Sequence, residues 1–298
     1  MLKHWLQAFR LRTLPLALSC IVLGSLLAKA DGFFQWDIFI LAITTTIFLQ
    51  ILSNLSNDYG DSQNGADNAQ RVGPQRAVQS GVIAPTQMKK AMILFVLLSL
   101  VSGVSLVLIS LKDIDLSFTL FFIVLGLAAI AAAIKYTAGK NPYGYRGLGD
   151  LFVFLFFGIV GVSGSYYLFH HEFQWSVLLP ASSIGFLSAA VLNLNNMRDR
   201  IGDAEVGKIT IPVMLGKQKS KLYHLFLLLF ALYGALGYTI THLHSAWQFL
   251  FLLVLPVHVL NIKKVFTYND PKELDPELKK IALTTLLFSI LLGVGSLI

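Results

Sequence analysis

Nine apolar runs with at most one charged residue each, at about 14–30, 38–57, 91–111, 117–137, 148–169, 177–197, 222–241, 246–262 and 281–298, leave this 298-residue chain few folds to choose from. About 20 apolar residues in a helix cross the hydrocarbon core of a bilayer. The runs therefore predict an all-α integral membrane protein with nine transmembrane helices. They consume more than half the chain, so residues 1–298 read as a single transmembrane domain. Charged residues make up only 13% of the sequence, against roughly 25% in ordinary soluble domains, which excludes a soluble globular protein.

The net charge of +7 is not a nucleic-acid signal, because no basic stretch is interleaved with aromatic residues that would read bases. It fits topology instead. With the N-terminus inside, all Lys and Arg residues except Lys29 and Lys112 fall on inner connections, and the positive-inside rule then gives an N-in, C-out chain in the lipid bilayer. The basic start, the first apolar run and Ala28-Lys29-Ala30 also fit a secretory signal with its cleavage site. Eight further spans follow, so the run reads as the first anchor. Cys20 is the only cysteine, which excludes disulfide frameworks and thiolate metal clusters.

The outer connections are short, whereas two inner ones, about 58–90 and 198–221, are long and rich in polar residues directly after a span. Long loops in compact proteins tend to carry function or to be disordered; the mixture of glycine, proline and apolar residues favours function. The ends of the second and sixth spans resemble each other, Asn54-Leu55-Ser56-Asn57 with Asp61 and Asn193-Leu194-Asn195-Asn196 with Asp199. That likeness hints at a duplicated four-helix unit plus a ninth helix.

On a helix Asn54, Asn57 and Asp61 fall at i, i+3, i+7, and Asn195, Asp199 and Asp203 at i, i+4, i+8, so each set lines one face. Asp67 follows the first set across Gly65. Solvated helix ends are the plain alternative for any one of these acids. If Asp61, Asp67, Asp199 and Asp203 converge at ~6 Å, each pair repels by roughly 3 kcal/mol at an effective dielectric of about 20. Protonation or divalent cations would relieve the repulsion. Carboxylate and amide oxygens suit Mg²⁺, which prefers one or two carboxylates completed by water and substrate phosphate. Arg71 and Arg76 follow the first stripe and Lys208 the second, so acids and bases interleave at the same two places, as a metal-assisted diphosphate site requires. An apolar chamber above such a site suits an amphiphile, a prenyl diphosphate with its tail in the bilayer. Metals and cations would stabilise the departing diphosphate, and aromatic rings the allylic cation.

The two motifs, Asn57-Asp58-Tyr59-Gly60-Asp61 running on to Asp67, and Asn195-Asn196-Met197-Arg198-Asp199-Arg200-Ile201-Gly202-Asp203 running on to Gly207-Lys208, resemble those of the UbiA superfamily of intramembrane aromatic prenyltransferases. The spacing of the first motif, the stretch Arg71 to Gly81 and Pro142 to Asp150 are most similar to its MenA branch, the 1,4-dihydroxy-2-naphthoate polyprenyltransferases of menaquinone synthesis. The resemblance implies a UbiA-like bundle in a bacterial inner (cytoplasmic) membrane, with the active site facing the cytoplasm. The implied reaction joins a polyprenyl group from polyprenyl diphosphate to dihydroxynaphthoate with decarboxylation, giving demethylmenaquinone. It also implies two Mg²⁺ ions, one on Asn57, Asp61 and Asp67, the other on Asp199 and Asp203. Arg71 and Lys208 would contact diphosphate, with Arg76 and Asn195 in support. Tyr136 and Lys140 would lie near the reacting carbon. Asp150 would orient the acceptor or act as base, or else cap a helix.

Two rivals are separable. The same fold and donor with 4-hydroxybenzoate, homogentisate or a tetrapyrrole as acceptor would release carbon dioxide only where the acceptor loses a carboxylate. A cation transporter would spread its acids across the midplane, whereas here they gather at one face. The histidines at 170, 171, 242 and 244 fall on the other face.

Overall fold

The computed structural model of the chain describes residues 1–66 and 72–298; Asp67 and Arg71 lie outside the described residues. Among those described are nine helices long and apolar enough to cross a membrane, and no strand. They are α1 (Leu2–Ala30), α2 (Trp36–Gln63), α3 (Pro85–Ser110), α4 (Leu116–Lys135), α5 (Gly149–His170), α6 (Trp175–Glu205), α7 (Ile211–Thr241), α8 (Ala246–Thr267) and α9 (Pro271–Leu297). Each expected run falls in one of them to within two residues.

Local chemistry sets the helix ends. Proline stands in the first turn of α3 and α7, where its missing N–H costs no helical hydrogen bond, and Asp115 caps α4 by accepting the Ser117 N–H at 2.8 Å. Two helices are broken inside: α1 at Arg10, whose φ is 49°, and α7 at Gly216, whose φ is 73°.

The apolar runs end near 57 and 197, yet α2 and α6 continue to Gln63 and Glu205. Once nucleated, a helix gains a hydrogen bond with each added residue, so the polar ends stay helical and keep both acidic stripes in register.

The largest buried cluster joins α1, α5, α6, α7 and α9 around Leu23, Leu27, Ile184, Leu187 and Leu292. The α5 and α6 backbones touch. A Cβ on Gly158 would meet the Ala181 carbonyl oxygen at 2.7 Å, and one on Gly185 the Phe154 carbonyl oxygen at 2.9 Å. Trp36, Trp175 and Trp247 are exposed near helix ends, as in an interfacial aromatic belt.

Residues Phe154–Ser163 of α5 form a π-helix between two α-helical pieces. Its consequence is geometric. Phe152, Phe156, Val160, Gly164 and Leu168, spaced by four, all line one chamber. In a pure α-helix of 3.6 residues per turn such a series drifts about 40° per step, which would carry Leu168 out of the chamber. The wider π turns cancel the drift, so the whole length of α5 keeps one face on the cavity.

Candidate active site

The polar ends of α2 and α6 reach one cavity of about 450 Å³, which Asp61 lines but Asp199 and Asp203 do not. Asn57, Asp61, Arg76, Asn195, Lys208 and Tyr136 line its polar end, and apolar residues of α1, α3, α4 and α5 line the rest. Asp203 is within electrostatic reach of Asp61 and Asp199, while Asp67 lies outside the described residues.

The carboxylates are compensated in a way that sequence reasoning missed. Arg76 Nη2 donates to Asp61 Oδ2 at 3.1 Å. Arg198 grips Asp199 with both ends of its fork, Nε to Oδ1 at 2.9 Å and Nη2 to Oδ2 at 2.6 Å. Lys208 Nζ stands 3.4 Å from Asp203 Oδ1. Each of these aspartates therefore has a basic partner within 4 Å, and the repulsion expected of bare carboxylates is neutralised by the protein itself. Because the pairs are buried, with Arg198 only 3% exposed and Asp61 2%, breaking one leaves a costly unpaired charge.

Tyr145 ties the two stripes together. Its hydroxyl donates to Asp61 Oδ1 at 2.8 Å, and the Lys208 ammonium lies 5.3 Å from its ring centroid, within range for a cation–π contact. The backbone adds a second tie: the Ile209 N–H donates to the Tyr145 carbonyl at 3.1 Å, making an isolated parallel bridge between Arg146 and Ile209. Sequence reasoning noted the stretch Pro142 to Asp150 without assigning Tyr145 a role. An aromatic hydroxyl between two acidic motifs in a short loop was the available signal.

Asn57 Oδ1 accepts from the Thr137 hydroxyl at 3.1 Å, and Asn195 Oδ1 from Arg198 Nη2 at 2.9 Å. Asn54 instead anchors α1, donating to the Phe9 carbonyl and the Thr13 hydroxyl at 2.9 Å each. Asp58 accepts the backbone N–H groups of Ala77 and Val78 at 3.1 and 3.2 Å and so holds the loop that delivers Arg76.

Tyr136 sits at the cavity wall against the 142–149 loop, its ring 5.4 Å from that of Tyr143. Gly144 makes this seat: a Cβ there would meet the Tyr136 carbonyl oxygen at 2.6 Å and its ring at 2.9 Å. Burial, reinforced by the carboxylates of Asp150, Asp61 and Asp203, pushes the Tyr136 hydroxyl far above the ordinary phenol range, so it stays a protonated donor. Lys140 is exposed and outside the cavity lining. Asp150 is buried behind the lining and accepts from the Tyr223 hydroxyl at 3.2 Å. The helix cap is Leu148, with no side-chain cap bond, so the capping role for Asp150 is overturned: its carboxylate turns inward to Tyr223.

The donor set fits a hard divalent cation. Carboxylate and amide oxygens of Asn57, Asp61, Asn195, Asp199 and Asp203 would supply it, and Asp203 Oδ2 is buried with no hydrogen-bond partner. Among the described residues no three carboxylates, imidazoles or thiolates are close enough to hold a metal ion by themselves, so an ion here would need water and phosphate oxygens to complete it.

Comparison with known proteins accords with this geometry. Residues 17–292 match the UbiA prenyltransferase family. The chain is 42% identical to the 1,4-dihydroxy-2-naphthoate octaprenyltransferase of Haemophilus influenzae, across 100% of this chain and 96% of the relative. It is 42% identical to that of Escherichia coli K12, across 98% and 94%. The structure of a UbiA homolog from Archaeoglobus fulgidus bound to DMAPP and Mg²⁺ superimposes with a TM-score of 0.64 at 16% identity, covering 99% of each chain. With nine membrane-length helices among the described residues, two polar helix ends at one cavity and this likeness over nearly its whole length, the chain belongs to the UbiA prenyltransferase family.

Proposed function

We propose that this protein transfers a polyprenyl group from polyprenyl diphosphate to 1,4-dihydroxy-2-naphthoate with loss of carbon dioxide, giving demethylmenaquinone in its reduced, hydroquinone form. One observation carries the reading: Asn57 and Asp61 of α2, Asn195 of α6 and the cations Arg76 and Lys208 line the polar end of an apolar chamber, in a chain 42% identical to two enzymes named for that acceptor. The donor's carbon–oxygen bond breaks with the electron pair leaving on diphosphate. The allylic carbon bonds to the ring carbon bearing the carboxylate, and carbon dioxide departs, returning its bonding electrons to the ring.

Asp61, Asp199 and Asp203, with the amides of Asn57 and Asn195, would hold Mg²⁺, two ions in this reading, with Asp67 completing the first set. The ions supply charge stabilisation at the leaving diphosphate. Arg76 and Lys208, now on Asp61 and Asp203, are placed to pass to the diphosphate when those carboxylates take up metal, and Arg71 would join them. Tyr136 presents a neutral ring and hydroxyl where the cation forms, and Asp150, one layer behind, keeps Tyr223 in place. The apolar lining excludes the water that would otherwise quench the cation. The basic residues around the site support an inner, cytoplasmic-facing active site in a bacterial cytoplasmic membrane.

The test uses membranes supplied with Mg²⁺, dihydroxynaphthoate and a mixture of prenyl diphosphates, with product masses read. Asp61→Ala and Asp199→Ala abolish product, whereas His244→Ala, at the far end, does not. Full turnover in both aspartate variants refutes the assignment, and product formed only with another acceptor, such as 4-hydroxybenzoate, replaces the acceptor.

A further inference from the structure

Arg198 is shared. Besides its two bonds to Asp199, it donates from Nη1 to Asp275 Oδ1 at 2.6 Å and from Nη2 to Asn195 at 2.9 Å. Asp275 opens the α-helical part of α9 and is also 3.8 Å from Arg12 Nη1 on α1. The guanidinium is 3% exposed, and the 72–76 segment lies on it, since a Cβ on Gly73 would meet Nη2 at 2.7 Å. The arrangement runs Arg12, Asp275, Arg198, Asp199, with charges alternating from the exposed edge to the second acidic motif.

Each Asp199 oxygen keeps a second lone pair, but Arg198 holds the favoured edge of the carboxylate through both oxygens and its charge opposes a cation there. Asp199 therefore ligates a cation fully only when Arg198 loosens. Letting go would strand a buried guanidinium, the costly outcome for a buried pair, unless a second anion keeps it. Asp275 is the second carboxylate the structure places on Arg198. We infer that Asp275 is a positioning residue that retains Arg198 and so frees Asp199 for divalent metal. It touches neither substrate nor metal and acts through Arg198. The inference rests on the proposed function only in taking Asp199 as a ligand for a divalent cation.

Binding of Mn²⁺ to the detergent-solubilised full-length protein with inorganic pyrophosphate, followed by electron paramagnetic resonance without acceptor, tests it. Asp275→Asn keeps the shape but removes the charge, and is expected to weaken Mn²⁺ binding about tenfold. Adding Arg198→Gln to that variant removes the competitor and should return affinity to within about threefold of the unmodified protein. A merely structural tether predicts the reverse, because the double variant would lose more contacts. Unchanged affinity in Asp275→Asn, or no recovery in the double variant, overturns this inference and leaves the prenyltransferase reading intact. Absence of Mn²⁺ binding by the unmodified protein overturns both.

Discussion

Tyr145 donates its hydroxyl to Asp61 Oδ1 at 2.8 Å although 84 residues separate them in the chain. With Lys208 over its ring, this one side chain sets how the end of α2 faces the end of α6. Tyr145→Phe keeps the ring and removes only the donor. A hydrogen bond to a charged group is worth about 1.5 kcal/mol or more, so turnover with saturating Mg²⁺ should fall about tenfold with the helical fold retained. A rate within twofold of the original would show that Asp61 holds its place without Tyr145.

Chelation should silence the enzyme. The aspartates are already paired with Arg76, Arg198 and Lys208, so the protein stays folded without metal and activity returns on adding Mg²⁺ or Mn²⁺. Two ions would make the return steeper than a single-site curve. Activity that persists in excess EDTA would remove metal from the mechanism.

Gly144 and Gly202 make a matched pair. A Cβ at Gly144 strikes the Tyr136 backbone at 2.6 Å, whereas nothing lies within 4 Å of one at Gly202. Gly144→Ala must push Tyr136 off the wall and should lower the thermal midpoint and cut turnover at least tenfold, since overpacking costs about 1–3 kcal/mol. Gly202→Ala, in a helix, should be neutral or stabilising by up to about 1 kcal/mol. Equal effects would mean that Tyr136 does not depend on this seat.

Donor length can be tuned at Gly164. It lines the chamber on the α5 face, and the nearest atom to an added Cβ is Phe122 Cε1 at 3.9 Å. Gly164→Leu fills tail space without striking backbone, so kcat/KM for long polyprenyl diphosphates should drop at least tenfold relative to dimethylallyl diphosphate. An unchanged ratio in a competition assay would place the tail elsewhere.

Composition and pattern alone determined the nine spans, the two acidic stripes and the basic residues beside them, because bilayer thickness and helical periodicity act on short stretches of chain. The family was legible for the same reason, its motifs being local. What only the tertiary structure decided is who neutralises whom. Arg198 is shared by Asp199 and Asp275, Asp61 belongs to Arg76 and Tyr145, and Asp150 to Tyr223 rather than to a helix end. Lys140, which the family resemblance would set near the reacting carbon, stands exposed outside the chamber. The π turns that keep α5 facing the cavity were equally hidden, since an apolar run reads the same at either pitch. Charge pairing falls off within a few ångströms, and which groups come that close is fixed by packing between helices far apart in the chain.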